Sequence, residues 1–161
     1  MAKLKWGMIG GGEGSQIGPA HRLGAGLDGA FEFTAGALDY RPEAGRDYAR
    51  RLGLAADRAY GDWRDMLEGE KGRDDRVDLV TVATPNATHF AITKAFLENG
   101  FHVLCEKPMT MTVEEGEEIV IARAGKPIAR IVPLVPTRPK RRLGILEGQY
   151  TVADNIDDPL P

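Results

Sequence analysis

A glutamate and a lysine stand together where a short apolar run ends, in the stretch VLCEKP at residues 103–108. A lysine at the edge of an apolar strand is partly desolvated, which disfavours its charged form and prepares it to exchange a proton with a substrate hydroxyl. Neighbours in an extended chain point to opposite faces, so Glu106 and Lys107 are expected to serve different ligands. The alternative is a solvated strand end before a turn.

A second candidate site is the glycine-rich stretch IGGGEGSQIGPAHR, which ends the first apolar run. Glycines between a strand and a helix let the backbone approach a pyrophosphate, whose charge is met by free amides and the helix dipole. Gly10 and Gly12 fill the first two positions of G-x-G-x-x-G, but Ser15 stands at the third, which leaves Gly14 and Gly18 as other alignments. A flexible turn without a ligand is the alternative. The candidate residues of this loop are Gly10, Gly11, Gly12, Ser15 and Ile17, where the next helix begins.

An acidic residue follows the second apolar run. Asp39 closes FEFTAGAL, where a carboxylate can accept hydrogen bonds from both hydroxyls of an adenosine ribose. Arg41 can meet a 2′-phosphate, so the predicted cofactor is NAD or NADP with a slight preference for NAD. Asp39 can instead cap the next helix or form a turn with Pro42. A methyltransferase-type nucleotide fold would show the same glycine loop and acidic residue.

These candidate residues need elements that bring them to one place. Short apolar runs alternate with longer amphipathic stretches, and this rhythm is typical of βαβ units. The later runs are almost continuously apolar, as expected for parallel strands covered by helices on both faces. Right-handed crossovers then predict an α/β fold with a doubly wound, mainly parallel sheet of the Rossmann type. The predicted strands are LKWGMI (4–9), FEFTAGAL (31–38), a short one near Ala59 and Tyr60, VDLVTVA (77–83) and FHVLC (101–105).

Helix boundaries are also readable. Pro42 fits a first helical turn, and Asp62 and Asn86 are predicted N-caps. Thr112 and Glu115 have the spacing of a capping box. Since ligands bind outside the carboxyl ends of parallel strands, TPNATH and CEKP are expected to emerge on the edge that holds the glycine loop.

Those two motifs together resemble a known family. The segment from VDLVTVATPNATH to CEKPMTM resembles the Gfo/Idh/MocA family of NAD(P)-dependent oxidoreductases, related to glucose-fructose oxidoreductase and inositol dehydrogenase, with its TPN-x-x-H and EKP motifs. The resemblance extends from about Leu4 to Val120. It implies that Lys107 lies beside the nicotinamide and the substrate. For His89 it leaves two roles open, a cofactor contact or packing at a helix start. The residues it implicates in holding the cofactor are Glu106, Thr84, Pro85, Asn86 and His89.

The resemblance further implies hydride transfer between a nicotinamide cofactor and a secondary alcohol of a sugar or polyol, with Lys107 taking the hydroxyl proton. Family members are longer and carry a second domain that supplies the substrate pocket. The alternative is a non-catalytic dinucleotide-binding module or truncated fragment, with weak or no turnover by this chain alone. Such a chain would expose apolar surface and is expected to self-associate as a homo-oligomer.

The character of the sequence changes after about residue 121. Six of the ten prolines lie at or beyond Pro127, and proline removes backbone donors and resists both helix and central strand. We predict a dinucleotide-binding domain over 1–125 with a last strand over 127–135. An irregular, proline-rich tail follows over 136–161 without a second domain, as expected of a truncated or frameshifted relative.

Composition narrows the choice of partners. A chain of 161 residues with 42% hydrophobic content has room for one domain with a core. The net charge of −3 gives no footprint for nucleic acid or an acidic membrane surface, so neither is a predicted partner. Cys105 is the single cysteine, and no signal-like start or long apolar run is present, so we expect a cytoplasmic protein. The three histidines lack metal-ligand spacing, and no metal is predicted.

Overall fold

The computed structural model of the protein describes residues 2–117, 120–123 and 126–130. Its main sheet has the strand order β2-β1-β3-β4, and each neighbouring pair is parallel. This arrangement confirms the predicted Rossmann-type α/β fold. The strands are β1 (Leu4–Gly10), β2 (Phe31–Ala37), β3 (Leu79–Ala83) and β4 (His102–Cys105).

Helices connect the strands and cover both faces of the sheet. On one face α1 and α2 pack over a cluster that includes Trp6, Met8 and Leu38, while α3 and α4 cover Val80 and Val82 on the other. Burial of these apolar side chains is the main favourable term for the fold. The helices are α1 (Ile17–Gly26), α2 (Pro42–Arg51), α3 (Trp63–Lys71), α4 (His89–Glu98) and α5 (Val113–Glu117), with 3₁₀ turns at Ala56–Arg58 and Asn86–Thr88.

Most of the predicted helix boundaries are confirmed. Pro42 occupies the first turn of α2, and the Asp62 carboxylate accepts a hydrogen bond of 2.8 Å from the Arg64 amide at the start of α3. At α5 the Glu115 amide donates to Thr112 Oγ1 at 3.2 Å, and Glu115 Oε2 accepts from the Thr112 amide at 3.3 Å. These reciprocal bonds form the predicted capping box.

Two local predictions are wrong. Asn86 does not cap α4, because it begins the preceding 3₁₀ turn, and Thr88 occupies the N-cap position. The segment near Ala59 and Tyr60 is not a strand but a single parallel bridge between Ala59 and Gly36. In both places a 3₁₀ turn occupies the positions directly before the expected element. The helix or strand therefore cannot begin where the sequence predicted.

The strand register places the carboxyl ends of β1, β3 and β4 on one edge of the sheet. Gly10 pairs with Ala83, and Val82 pairs with Cys105. The Glu106 amide continues the ladder by donating to Val82 O at 3.0 Å. The glycine loop, the TPN segment and the EKP segment therefore leave the sheet side by side, as predicted.

A buried ion pair ties α3 to the turn before it. Glu70 is 0% exposed and Arg58 6%, and their side chains meet at 2.5 Å. The Glu70 carboxylate also accepts hydrogen bonds of 2.9 Å from the Tyr60 hydroxyl and the Val77 amide. Burial and the neighbouring Glu70 charge raise the pKa of Tyr60. The charged groups are thus satisfied inside the protein, as buried charges must be.

A second, two-stranded sheet lies further along the chain. Its strands β5 (Val120–Arg123) and β6 (Lys126–Arg130) are antiparallel. The rest of the predicted last strand, 131–135, and the predicted tail, 136–161, lie outside the described residues, so the domain boundaries stay a prediction. Within the described part of the chain, no helix has the length and apolar character needed to cross a membrane. No group of three or more His, Cys, Asp or Glu there is placed to hold a metal ion.

Candidate functional site

A cavity of about 770 Å³ opens at the carboxyl edge of the sheet, between the glycine loop, the end of β2 and the segment after β3. Eight of the predicted site residues line it, while the five others are not part of its lining. The lining ones are Gly10, Gly11, Gly12, Ser15, Ile17, Asp39, Thr84 and Pro85. The others are Arg41, Asn86, His89, Glu106 and Lys107.

The glycine loop leaves no room for side chains at its closest contacts. Gly10 has a φ of 76°, and a Cβ there would overlap Ala83 O. A Cβ on Gly18 would overlap the carbonyl oxygen of Gly11, so the first turn of α1 rests directly on the loop backbone. Close helix packing is the role of the third glycine in the fingerprint, and Gly18 fills it here. Ser15 instead accepts a hydrogen bond of 3.1 Å from the Gly18 amide and steadies the helix start.

Arg22 on α1 supports the glycine loop and was not among the predicted site residues. Its guanidinium donates to Gly11 O at 2.9 Å and to the Tyr48 hydroxyl of α2 at 3.0 Å. The available signal was its position four residues after Gly18, one helical turn away on the same face. The contact fixes the carbonyl of Gly11, so the loop is held in shape before any ligand arrives.

Asp39 carries an ion pair with its near neighbour. Arg41 Nε lies 3.1 Å from Asp39 Oδ1, and Arg41 Nη2 lies 3.2 Å from Asp39 Oδ2. The Arg41 amide also donates to Oδ1 at 2.9 Å, so the turn role considered for Asp39 is real. The hydrogen bonds from the Arg41 side chain and amide lower the pKa of Asp39. The carboxylate is therefore ionised and lines the cavity as a hydrogen-bond acceptor.

The TPN segment is folded by its own side chains. Thr88 Oγ1 lies 2.8 Å from Thr84 Oγ1 and 2.7 Å from Pro85 O. Asn86 is exposed beside the cavity. His89 is 1% exposed, with Nε2 2.8 Å from Thr84 O and Nδ1 2.7 Å from Pro108 O. The structure thus buries His89 between the backbones of the TPN and EKP segments, and its role toward a cofactor stays a prediction.

The EKP segment forms a turn with a cis bond between Lys107 and Pro108. Glu106 Oε1 lies 2.8 Å from Nε2 of His21 on α1, and Glu106 Oε2 accepts from the Lys107 amide at 3.2 Å. Burial raises the pKa of Glu106, but the hydrogen bonds from His21 and Lys107 outweigh it and the net shift is downward. His21 was not predicted as a site residue, because α1 and the EKP segment are 85 positions apart.

Lys107 and Cys105 differ in their surroundings. Lys107 is exposed, so the desolvation expected at the edge of an apolar strand is not provided by the described residues. The strand ends before the lysine, and the turn carries its side chain outward. Cys105 is half-buried, and burial raises the pKa of its thiol. A protonated thiol is a poor nucleophile, in agreement with the prediction that Cys105 is a strand residue.

Comparison with known proteins identifies the class. A family model described as an oxidoreductase family with an NAD-binding Rossmann fold matches residues 4–128. The chain belongs to this family, Gfo/Idh/MocA, as its TPN-x-x-H and EKP motifs indicated.

Individual relatives agree with that assignment. The uncharacterized oxidoreductase YfiI of Bacillus subtilis is 49% identical over 117 residues, which are 72% of this chain and 30% of the relative. Levoglucosan dehydrogenase of Pseudarthrobacter phenanthrenivorans is 34% identical over 139 residues, 82% of this chain and 33% of that enzyme.

A solved structure of an inositol dehydrogenase homolog from Azotobacter vinelandii, complexed with NADH and myo-inositol, superposes with a TM-score of 0.70 at 50% identity. The match covers 71% of this chain and 30% of that one. This chain therefore spans about a third of the length of the relatives it matches.

Proposed function

We propose that this chain binds a nicotinamide dinucleotide as part of an NAD(P)-dependent oxidoreductase acting on a secondary alcohol of a sugar or polyol. The observation that carries the proposal is the cavity on which the glycine loop and Asp39 converge, at the sheet edge from which Glu106 and Lys107 also emerge. The myo-inositol bound to the Azotobacter relative supports the substrate class.

The residues present fit a dinucleotide. Gly10, Gly12 and Gly18 stand where a Cβ would overlap backbone atoms, so the loop amides can approach a pyrophosphate. The ionised Asp39 carboxylate suits the hydroxyls of the adenosine ribose, and the exposed Arg41 beside it suits a 2′-phosphate. NAD is the proposed cofactor and NADP the alternative.

Nicotinamide, when bound, supplies a hydride acceptor or donor. The chain's own contribution to the chemistry is acid–base catalysis by Lys107, whose neutral amine can take the proton of the substrate hydroxyl in oxidation and whose ammonium can return it in reduction. Glu106, fixed by His21 and the Lys107 amide, supplies a negative charge next to that lysine. Thr84 and Pro85 form the wall of the cavity between the glycine loop and the EKP turn.

Measurements of cofactor binding test the dinucleotide site, and measurements of turnover test the role of Lys107. NADH and NADPH are titrated by fluorescence, and oxidation of a polyol panel that includes myo-inositol is followed with NAD and NADP. Lys107→Met should leave cofactor affinity unchanged and lower turnover by about 10²–10⁴-fold, the usual contribution of acid–base catalysis. Asp39→Asn should weaken binding of NADH, because the adenosine ribose hydroxyls lose a charged hydrogen-bond acceptor. Wild-type protein that binds neither cofactor would contradict the proposal.

A second candidate is a dinucleotide-binding module with weak or no turnover of its own. The exposed Lys107 favours it, because the described residues do not desolvate its ammonium. In this case the wild-type chain binds NADH but oxidises none of the polyols. Turnover that disappears in Lys107→Met would favour the oxidoreductase.

A further inference from the structure

Two histidines contact the EKP turn, one from each face of the sheet. His21 projects from α1 and meets the Glu106 carboxylate at 2.8 Å. His89 projects from α4 and meets Pro108 O at 2.7 Å. Lys107 lies between the two contacted residues, so the segment that carries the proposed acid–base group is held on both sides.

His89 also joins the EKP turn to the TPN segment. Its second ring nitrogen lies 2.8 Å from Thr84 O, and Thr84 lines the cavity. Both carbonyl oxygens are acceptors, so whichever ring nitrogen carries the N–H donates, and the ring is in contact with both loops. The ring is 1% exposed, and water cannot readily replace either contact. His89 therefore acts as a cross-link between two loops of the site.

His21 fixes the direction of the Glu106 side chain. The two side chains are 18% and 22% exposed, and the other Glu106 oxygen accepts from the Lys107 amide. A carboxylate held at both oxygens has little rotational freedom. Because the second bond is made to the Lys107 backbone, a change at His21 would reach the lysine through Glu106.

The strand order decides which end of a dinucleotide this turn would meet. Asp39 follows β2 and Glu106 follows β4, which are the two outer strands of the main sheet. Three intervals of about 4.8 Å separate these strands, a distance of about 14 Å. If Asp39 meets the adenosine ribose, as the proposed function requires, the EKP turn lies toward the nicotinamide end.

We propose that His21 and His89 are positioning residues, which hold the turn from Glu106 to Pro108 for the nicotinamide half of the cofactor. The proposal rests on the proposed dinucleotide binding. It assigns His89 an indirect role and adds His21, whose position in the sequence gave no indication of a part in the site.

The test compares NADH with ADP-ribose, which keeps the adenosine and pyrophosphate but lacks nicotinamide. Affinities are measured by calorimetry for the full chain and for His21→Gln and His89→Gln. His102→Gln is the matched control, because His102 is exposed on β4 and no hydrogen bond joins it to the turn in the described part of the chain. We expect NADH to bind about tenfold more weakly to His21→Gln, as for a lost hydrogen bond to a charged group, and ADP-ribose to bind equally well.

The possible outcomes are distinct. Equal loss for both ligands, or no loss for either, would overturn the positioning role while leaving the proposed function intact. A wild-type chain that binds neither ligand would overturn both. For His89, nitrogen NMR of the wild-type ring adds a readout that does not depend on folding of a variant. A ring N–H that exchanges slowly with solvent supports the buried cross-link, and fast exchange of every ring proton would overturn it.

Discussion

At the residue scale, the ion pair of Asp39 and Arg41 is the feature of the cavity that bears on the choice between NAD and NADP. The guanidinium contacts both carboxylate oxygens and is itself 63% exposed, so it can turn toward a ligand at small cost. An isolated aspartate would repel a 2′-phosphate, whereas a paired one presents little net charge. If the chain binds a dinucleotide as proposed, we expect Arg41 to be the group that distinguishes NADP from NAD.

Removing that arginine should separate the two cofactors. In Arg41→Ala, NADPH affinity is expected to fall by about tenfold or more, as for a lost charge-assisted contact, because the 2′-phosphate then faces an unpaired carboxylate. NADH affinity should be unchanged or improved, since the carboxylate is free to accept from the ribose. Fluorescence titration measures both.

Arg50→Ala is the matched control, because Arg50 is an exposed arginine paired with Asp47 on α2. The expectation fails if Arg41→Ala weakens NADH as much as NADPH. That result would mean that Arg41 supports the shape of the turn and does not read the phosphate.

Local sequence spacing predicted the residues that line the cavity but not the residues that fix those lining residues in position. Gly10, Gly12 and Asp39 follow from a strand, a loop and a second strand read in order. His21 and Arg22 could not be found in this way, because their partners lie on other elements. The choice of Gly18 over Ser15 as the packing glycine likewise required the approach of α1 to the loop.

At the scale of elements, the buried pair of Arg58 and Glu70 locks α3 against the sheet. Glu70 accepts from Arg58, Tyr60 and the Val77 amide, so one carboxylate joins the 3₁₀ turn, α3 and the approach to β3. In the sequence both residues look like ordinary surface charges 12 positions apart. Their burial depends on packing around them, which the sequence pattern alone does not encode.

Neutralising one partner should be costly. Glu70→Gln leaves the Arg58 guanidinium buried, with Asp75 at 3.3 Å as its remaining negative partner among the described residues. Breaking a buried ion pair typically costs about 3–5 kcal/mol, and we expect a loss near the lower end of that range in the free energy of unfolding. Urea denaturation followed by circular dichroism gives the value.

The exposed Glu68 on the same helix, which pairs with Lys71, is the control. Glu68→Gln should change the free energy of unfolding by no more than about 0.5 kcal/mol, as is usual for surface positions. Similar losses in both variants would show that the buried pair contributes no more than a surface pair.

The order and type of the main elements were predictable because their apolar periods are clear. Four strands and the helices between them appear where the sequence indicates, within about three residues as is usual for such boundaries. The failures at Asn86 and near Ala59 occur where short 3₁₀ turns intervene, and such turns have no periodic signal. The predicted desolvation of Lys107 is not observed, because β4 ends two residues before the lysine and leaves its side chain exposed.

At the scale of the whole molecule, large apolar side chains remain uncovered. Leu23 is 71% exposed and Leu27 80%, one helical turn apart at the end of α1, and Leu104 on β4 is 47% exposed. Single exposed leucines are common, but neighbouring ones favour association. The predicted homo-oligomer therefore has a candidate contact at the end of α1.

Light scattering over a range of concentrations tests that contact. The double variant Leu23→Lys/Leu27→Lys should have a lower average mass than the wild type, because two charges replace the apolar pair. Ala55→Lys/Ala56→Lys adds the same charge at exposed alanines and should leave the mass unchanged. A wild-type chain that stays monomeric at high concentration would contradict the prediction.

The close backbone contact between Gly18 and the Gly11 carbonyl limits which mutations the gene can accept. Every missense change of a glycine codon introduces at least a Cβ, and at position 18 that atom would overlap the neighbouring carbonyl. Drift at this codon is thus confined to synonymous substitutions for as long as the loop keeps its present path. In a saturation library of the chain, Gly18 should be among the least tolerant positions, whereas Gly24, which has open space around it, should accept alanine.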